Sequence, residues 1–321
     1  MRLIAVFCTI FGMLAAPLFA SDLPVIRAAV LKIGTVNWEL ATITENGLDR
    51  ANGFVLDVQP FADNSGTRIA VEGGEADIAV ADWIWVARQR AAGKDYVFIP
   101  YSKAVGGVVV PASSTAKTLA DLAGGKIGIA GGPLDKSWLI LRAYAQQQYG
   151  LDLKAETEQV YGAPPLIFKS AMGDNYAGAI NFWHFLAKNK AAGMRQLISV
   201  EEAGEALGLD TNTPLLGYYM KESFLAEHPE LAQGFFEASR AAKDMLASSD
   251  DAWDAIRPRM NAATDAQFDQ LRSDWIAGIP ERAPVDEAAA GEMLRLMSDL
   301  GGPELVGDAT TLPAGLFADV K

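Results

Sequence analysis

One cysteine and two histidines in 321 residues leave little material for thiol, imidazole or soft-metal chemistry. Cys8 follows Phe7 inside the apolar N-terminal run, whereas a lipid-modified cysteine follows a small residue, so Cys8 reads as passive filler. Without it the chain has neither thiol nor disulfide, and its stability must come from a packed core. Basic residues are also few: 27 Lys and Arg face 40 Asp and Glu, a formal charge of −13. Such a chain repels nucleic acid and anionic lipid, which argues against both as partners. Long apolar runs are confined to Leu3–Leu14, too short to span a bilayer. With Arg2 ahead of it and small residues at Ala15–Ala20 behind, residues 1–20 are expected to be a secretory signal peptide cleaved after Ala20. The mature chain is expected to be exported, with no stable membrane insertion.

Catalytic signatures are missing too. There is no GxSxG elbow, Walker loop or HExxH, and His184 and His228 are scattered. No carboxylate pair has a spacing that points to glycoside or phosphoryl chemistry. Gly131–Ser137 is glycine-rich, but Lys126 stands where the dinucleotide fingerprint needs glycine, so no nucleotide cofactor is expected. The sequence reads as that of a binder, not an enzyme.

What is present is an alternation of strands and helices, which predicts an α/β fold with mainly parallel sheets. Strands are expected at Val25–Ile33, Val55–Val58, Ile78–Ala81, Val97–Pro100 and Gly107–Val110. Pro111–Lys117 reads as a linker, after which the pattern restarts with strands at Lys126–Ala130, Thr157–Val160 and Ala177–Asn181. Leu215–Met220 reads as a strand returning to the first unit, followed by amphipathic helices at Ser223–Ser248, Asp250–Met260, Asp265–Ala277 and Val285–Leu300. The division that follows is a first lobe at 21–110, a second at 111–214, and the return strand with C-terminal helices at 215–321. Two lobes with two crossings imply a cleft.

In open α/β sheets ligands sit beyond the carboxyl ends of the strands. That rule nominates Trp38 and Glu39 after the first strand, and Asn64, Ser65 and Thr67 in the turn after the second. The segment Val71–Trp85 delivers Asp82, Trp83 and Trp85 to a third strand end. Trp83 and Trp85, two apart on one helix, cannot share a face, and Trp83 is taken as the cleft residue. On the second lobe the nominees are Ser137, Tyr161, Asn181 and Trp183, with Asp135 and His184 beside them. Capping, dipole and packing roles compete at each position: Glu39 complements a helix N-terminus, Asp82 and Asp135 suit helix caps, and His184 suits a structural histidine.

Asn46–Val58 (NGLDRANGFVLDV), Val71–Val80 (VEGGEADIAV), Thr118–Ile129 (TLADLAGGKIGI) and Leu215–Met220, in this order behind a signal peptide, resemble the periplasmic substrate-binding proteins of ABC importers. The resemblance is to the NMT1/THI5-like group, which handles nitrate, sulfonates, taurine and thiamine precursors. It implies a two-lobed, type II-like periplasmic binding protein that closes on a small-molecule ligand as a monomer and docks transiently on an ABC permease. The indoles Trp38, Trp83 and Trp183 favour an uncharged or cationic ring compound through stacking and cation–π attraction. Two other cargoes stay open. A hard cation or its chelate could draw on Glu39, Asp63, Asp82 and Asp135. A sulfonate- or nitrate-type anion would have only Arg68, Lys103 and Lys136 nearby.

Overall fold

The computed structural model describes residues 23–173 and 175–320, so the expected signal peptide lies outside the described residues. Ten strands form two five-stranded sheets. The first contains β1 (Val25–Leu31), β2 (Val55–Phe61), β3 (Ile78–Asp82), β4 (Tyr96–Ser102) and β10 (Leu216–Lys221). The second contains β5 (Gly107–Val110), β6 (Lys126–Ala130), β7 (Glu158–Gly162), β8 (Gly178–Asn181) and β9 (Arg195–Ser199). Spatial order is β2-β1-β3-β10-β4 in one sheet and β7-β6-β8-β5-β9 in the other. The two orders are the same arrangement. In each, three parallel strands are followed by one antiparallel strand that arrives directly from the other lobe, β10 against β3 and β5 against β8.

Side chains alternate across each sheet, as a period of two requires. Ile26, Ala28 and Val30 of β1 enter one apolar cluster with Phe54, Met220 and Phe235, while Ala29 enters another on the opposite face. That second cluster does not stop at the first lobe. It takes in Trp83 and Phe98 from one side, Val108, Ile127 and Trp138 from the other, and Leu294 and Met297 of the Glu287–Val306 helix between them. A smaller cluster joins Trp38 of the first lobe to Trp183 of the second through Trp253, Phe268 and Trp275 of the C-terminal helices.

Four readings of the sequence change. Gly107–Val110 pairs with β8 and β9, so the first crossing is residues 103–106 and the expected linker Pro111–Lys117 lies within the second lobe. The helix that the alternation places between the first two strands is divided: Val36–Glu45 ends before Gly47, which takes a left-handed φ of 66°, and a separate turn, Leu48–Ala51, follows. The helix read as Ser223–Ser248 is divided at His228–Pro229, since a proline cannot donate to the preceding turn. Strand β9 was not expected: RQLIS is a half-exposed edge strand with two apolar residues, too short a signal to separate from a loop. Among the described residues no helix is long and apolar enough to cross a membrane.

Candidate functional site

A cavity of about 330 Å³ lies between the lobes, lined from both sides by the carboxyl ends of parallel strands. From the first lobe come Thr35 beyond β1, Asn64, Thr67 and Arg68 beyond β2, and Asp82 at the end of β3. The second lobe gives Asp135, Lys136 and Ser137 beyond β6, and Phe182, Trp183 and His184 beyond β8.

Each group is held by local structure. Asp63 caps the Asn64–Gly73 helix by accepting from the Gly66 amide at 2.9 Å. Relieved of capping, Asn64 shares a helix face with Thr67 and Arg68 at the i, i+3, i+4 spacing, and all three meet the cavity. Arg68 lies 4.3 Å over the Trp85 ring, and among the described residues it has no ion pair. Asp82 Oδ1 accepts from the Trp85 amide at 2.9 Å, capping its helix, while Oδ2 accepts from Lys136 Nζ of the opposite lobe at 2.9 Å. Asp135 caps the Lys136–Tyr149 helix through the Trp138 amide at 3.1 Å. Burial pushes the Asp135 carboxyl up to about 6, with the Asp82 charge adding to the effect against the opposing amides and Lys136. His184 packs among Phe182, Trp183 and Phe185, and burial, reinforced by Lys188, holds it down at about 4, so its ring is neutral.

Of the eleven residues nominated from sequence, the structure brings five to the cavity: Asn64, Thr67, Asp82, Ser137 and Trp183. Six lie elsewhere. Glu39 has no solvent exposure and is locked to Lys243 at 2.5 Å, Tyr218 at 2.8 Å and Ser239 at 2.6 Å inside the first lobe. Trp38 is buried in the indole cluster, with its ring edge-on to Trp183 at 5.8 Å. Trp83 is completely buried against Phe317, whereas Trp85, the indole passed over, backs Arg68. Tyr161 packs on the core beside Trp138. Asn181 is buried, donating to the Pro164 carbonyl and accepting from the Phe182 amide. Ser65 is on the exposed side of its helix. Arg68 and Lys136, named from sequence only as cations near an anionic cargo and not among the eleven, both line the cavity, whereas Lys103 does not. The helix spacing from Asn64 and Thr67 carried the signal for the first, and adjacency to Ser137 for the second.

The carboxylates considered for a hard cation do not converge. Glu39 is engaged with Lys243, Asp63 caps an exposed turn, and only Asp82 and Asp135 reach the cavity. Among the described residues no group of three or more His, Cys, Asp or Glu is placed to hold a metal ion.

Two five-stranded α/β lobes with a cavity at their facing strand ends define the periplasmic binding protein fold. Solved structures agree. The periplasmic aliphatic sulphonate binding protein SsuA from Escherichia coli is similar at 18% identity and a TM-score of 0.69, over 92% of this chain and 94% of that one. An ABC transporter structure from Parabacteroides distasonis is similar at 16% identity and a TM-score of 0.68, over 92% and 99%. The alkanesulfonate-binding protein SsuA from Xanthomonas axonopodis pv. citri bound to MOPS is similar at 17% and 0.63, over 93% and 97%. At these identities the likeness establishes the fold. No curated protein sequence matches the chain. The NMT1/THI5 like family model matches residues 42–252, and the chain belongs to that family.

Proposed function

We propose that this protein is the solute-binding component of an ABC importer, and that its cargo is a small organic anion. The observation that carries the anion is Arg68, without an ion pair among the described residues, at a cavity between the lobes that also receives the N-terminal turns of the Asn64–Gly73 and Lys136–Tyr149 helices. The acids there are largely engaged: Asp82 by Lys136 and the Trp85 amide, Asp135 by the Trp138 amide. Arg68 is left to meet a ligand oxygen, and Tyr101, Phe182 and Trp183 give the rest of the molecule an apolar wall. The similar SsuA proteins of Escherichia coli and Xanthomonas axonopodis are sulfonate-binding proteins, and a sulfonate fits this chemistry. Capture follows from hinge closure, because a ligand that touches both lobes stabilises the closed arrangement.

The aromatic argument for an uncharged or cationic ring weakens once Trp38 and Trp83 are buried elsewhere, although Trp183 and Asp82 keep it as the second reading. Titration calorimetry against ethanesulfonate, benzoate, cytosine and benzylamine separates the two. Binding of the anions, reduced about 30-fold by Arg68→Gln, supports the proposal, since a charged hydrogen bond contributes about 2 kcal/mol. Binding of cytosine or benzylamine alone overturns the anion and leaves the carrier role.

A further inference from the structure

Asp82 ends β3 in the first lobe and Lys136 begins a helix in the second, yet Nζ and Oδ2 meet at 2.9 Å. Among the described residues this is the one ion pair that joins the strand-end loops of the two sheets. Lys190–Asp274, at 2.8 Å, ties the second lobe to a C-terminal helix instead. Local structure does not call for the lysine. A cation at the first position of a helix faces the positive end of the dipole, so Lys136 is poorly placed for its own helix and well placed for a partner across the gap. Asp82 is oriented for the contact as well, because capping engages Oδ1 and turns Oδ2 outward. Side-chain exposures of 24% and 17% leave the pair shielded enough to attract and open enough to hydrate when parted.

We infer that Asp82 and Lys136 form an electrostatic tie between the lobes that biases the protein toward closure whatever the ligand. The inference rests on the closing two-lobed carrier described above. Opening the cleft separates the charges, so the attraction belongs to the closed state alone and enters the affinity of every ligand by the same factor. In this role the pair is distinct from Arg68, whose effect depends on ligand charge.

The test uses Asp82→Asn, which keeps a capping side chain and loses the charge, and Lys136→Met, which keeps the stem and loses the ammonium. With Cys8 in the expected leader, single labels introduced at exposed Glu75 and Gln147 report the lobe separation of the ligand-free protein. Each variant is expected to lengthen that separation and to raise Kd about three- to tenfold, equally for ethanesulfonate and benzoate. The double variant is expected to be no worse than either single one, the signature of a shared interaction. Unchanged separation, additive losses or an effect confined to one probe overturns the tie. If neither probe binds but the separation responds, the tie stands and the anion reading falls. If both bind and the separation does not respond, the reverse holds.

Discussion

A carboxylate cut off from water needs a full set of partners, and Glu39 finds them in Lys243, Ser239 and Tyr218. The two charges lie 204 positions apart in the chain, and nothing near Glu39 distinguishes a buried acid from one that complements a helix end. Removing one partner strands the other. Glu39→Ala is expected to cost about 3–5 kcal/mol in chemical denaturation, and Glu39→Met with Lys243→Met to recover most of it, because burying an unpaired charge costs more than losing a pair. Two cavity groups are expected to give stability and binding a pH dependence. His184 is held below its ordinary 6.5, so the contribution of its neutral ring is complete above pH 6.5 and lost as pH falls toward 4. Denaturation midpoints across that range are expected to fall less steeply in His184→Phe than in the parent. Asp135 is shifted the other way, so its protonated form is favoured in the folded protein, an effect complete below pH 3.8 and lost as pH rises through about 6. Because an anionic ligand prefers that neutral form, affinity for ethanesulfonate is expected to rise about three- to tenfold from pH 7 to pH 5. Asp135→Asn is expected to flatten the rise; a parent affinity that does not change with pH would count against the assignment.

Helix starts decide which side chains reach the cleft. Asp63, Asp82 and Asp135 each cap the helix after a parallel strand; the first turns of the Asn64–Gly73 and Lys136–Tyr149 helices line the cavity, whereas beyond Asp82 the Trp83–Ala91 helix turns into the core. The strands were legible because β-branched and apolar runs between glycine-marked turns have few other uses. The faces were less so: Trp83 and Trp85 looked equivalent, and only packing on Phe317 and Tyr219 shows which went inside. Gly106, in the first crossing, shows a constraint a sequence does not display. A Cβ there would stand 2.0 Å from the Asn181 carbonyl oxygen, too close for any side chain unless the backbone moves. Gly106→Ala is therefore expected to cost about 1–3 kcal/mol or more and to weaken ligand binding, since Gly106 lines the cavity. A variant with parental melting temperature and affinity would refute the close approach.

Seen whole, the molecule has two lobes and a shared interior. The Glu287–Val306 helix packs on helices of both lobes, and the Trp38, Trp183 and Trp253 indoles join them on another side. Calorimetry is expected to give a single unfolding transition, not one per lobe, because cutting the shared cluster exposes apolar surface on both sides. Two resolved peaks would contradict this. The two-lobed architecture was legible from the repeated α/β pattern and the return strand at Leu215–Met220. The bridging role of the C-terminal helices was not, since amphipathic periodicity says that a face is buried and not against what.

One consequence of the strand order concerns how motion enters each body. The crossing segments run into β5 and β10, which lie within their sheets with a neighbour on either flank. With the closure proposed above, a bend at residues 103–106 would be delivered to a strand clasped from both sides, as a hinge leaf set into a panel moves the whole door. Swinging such a panel requires no slack along its edges.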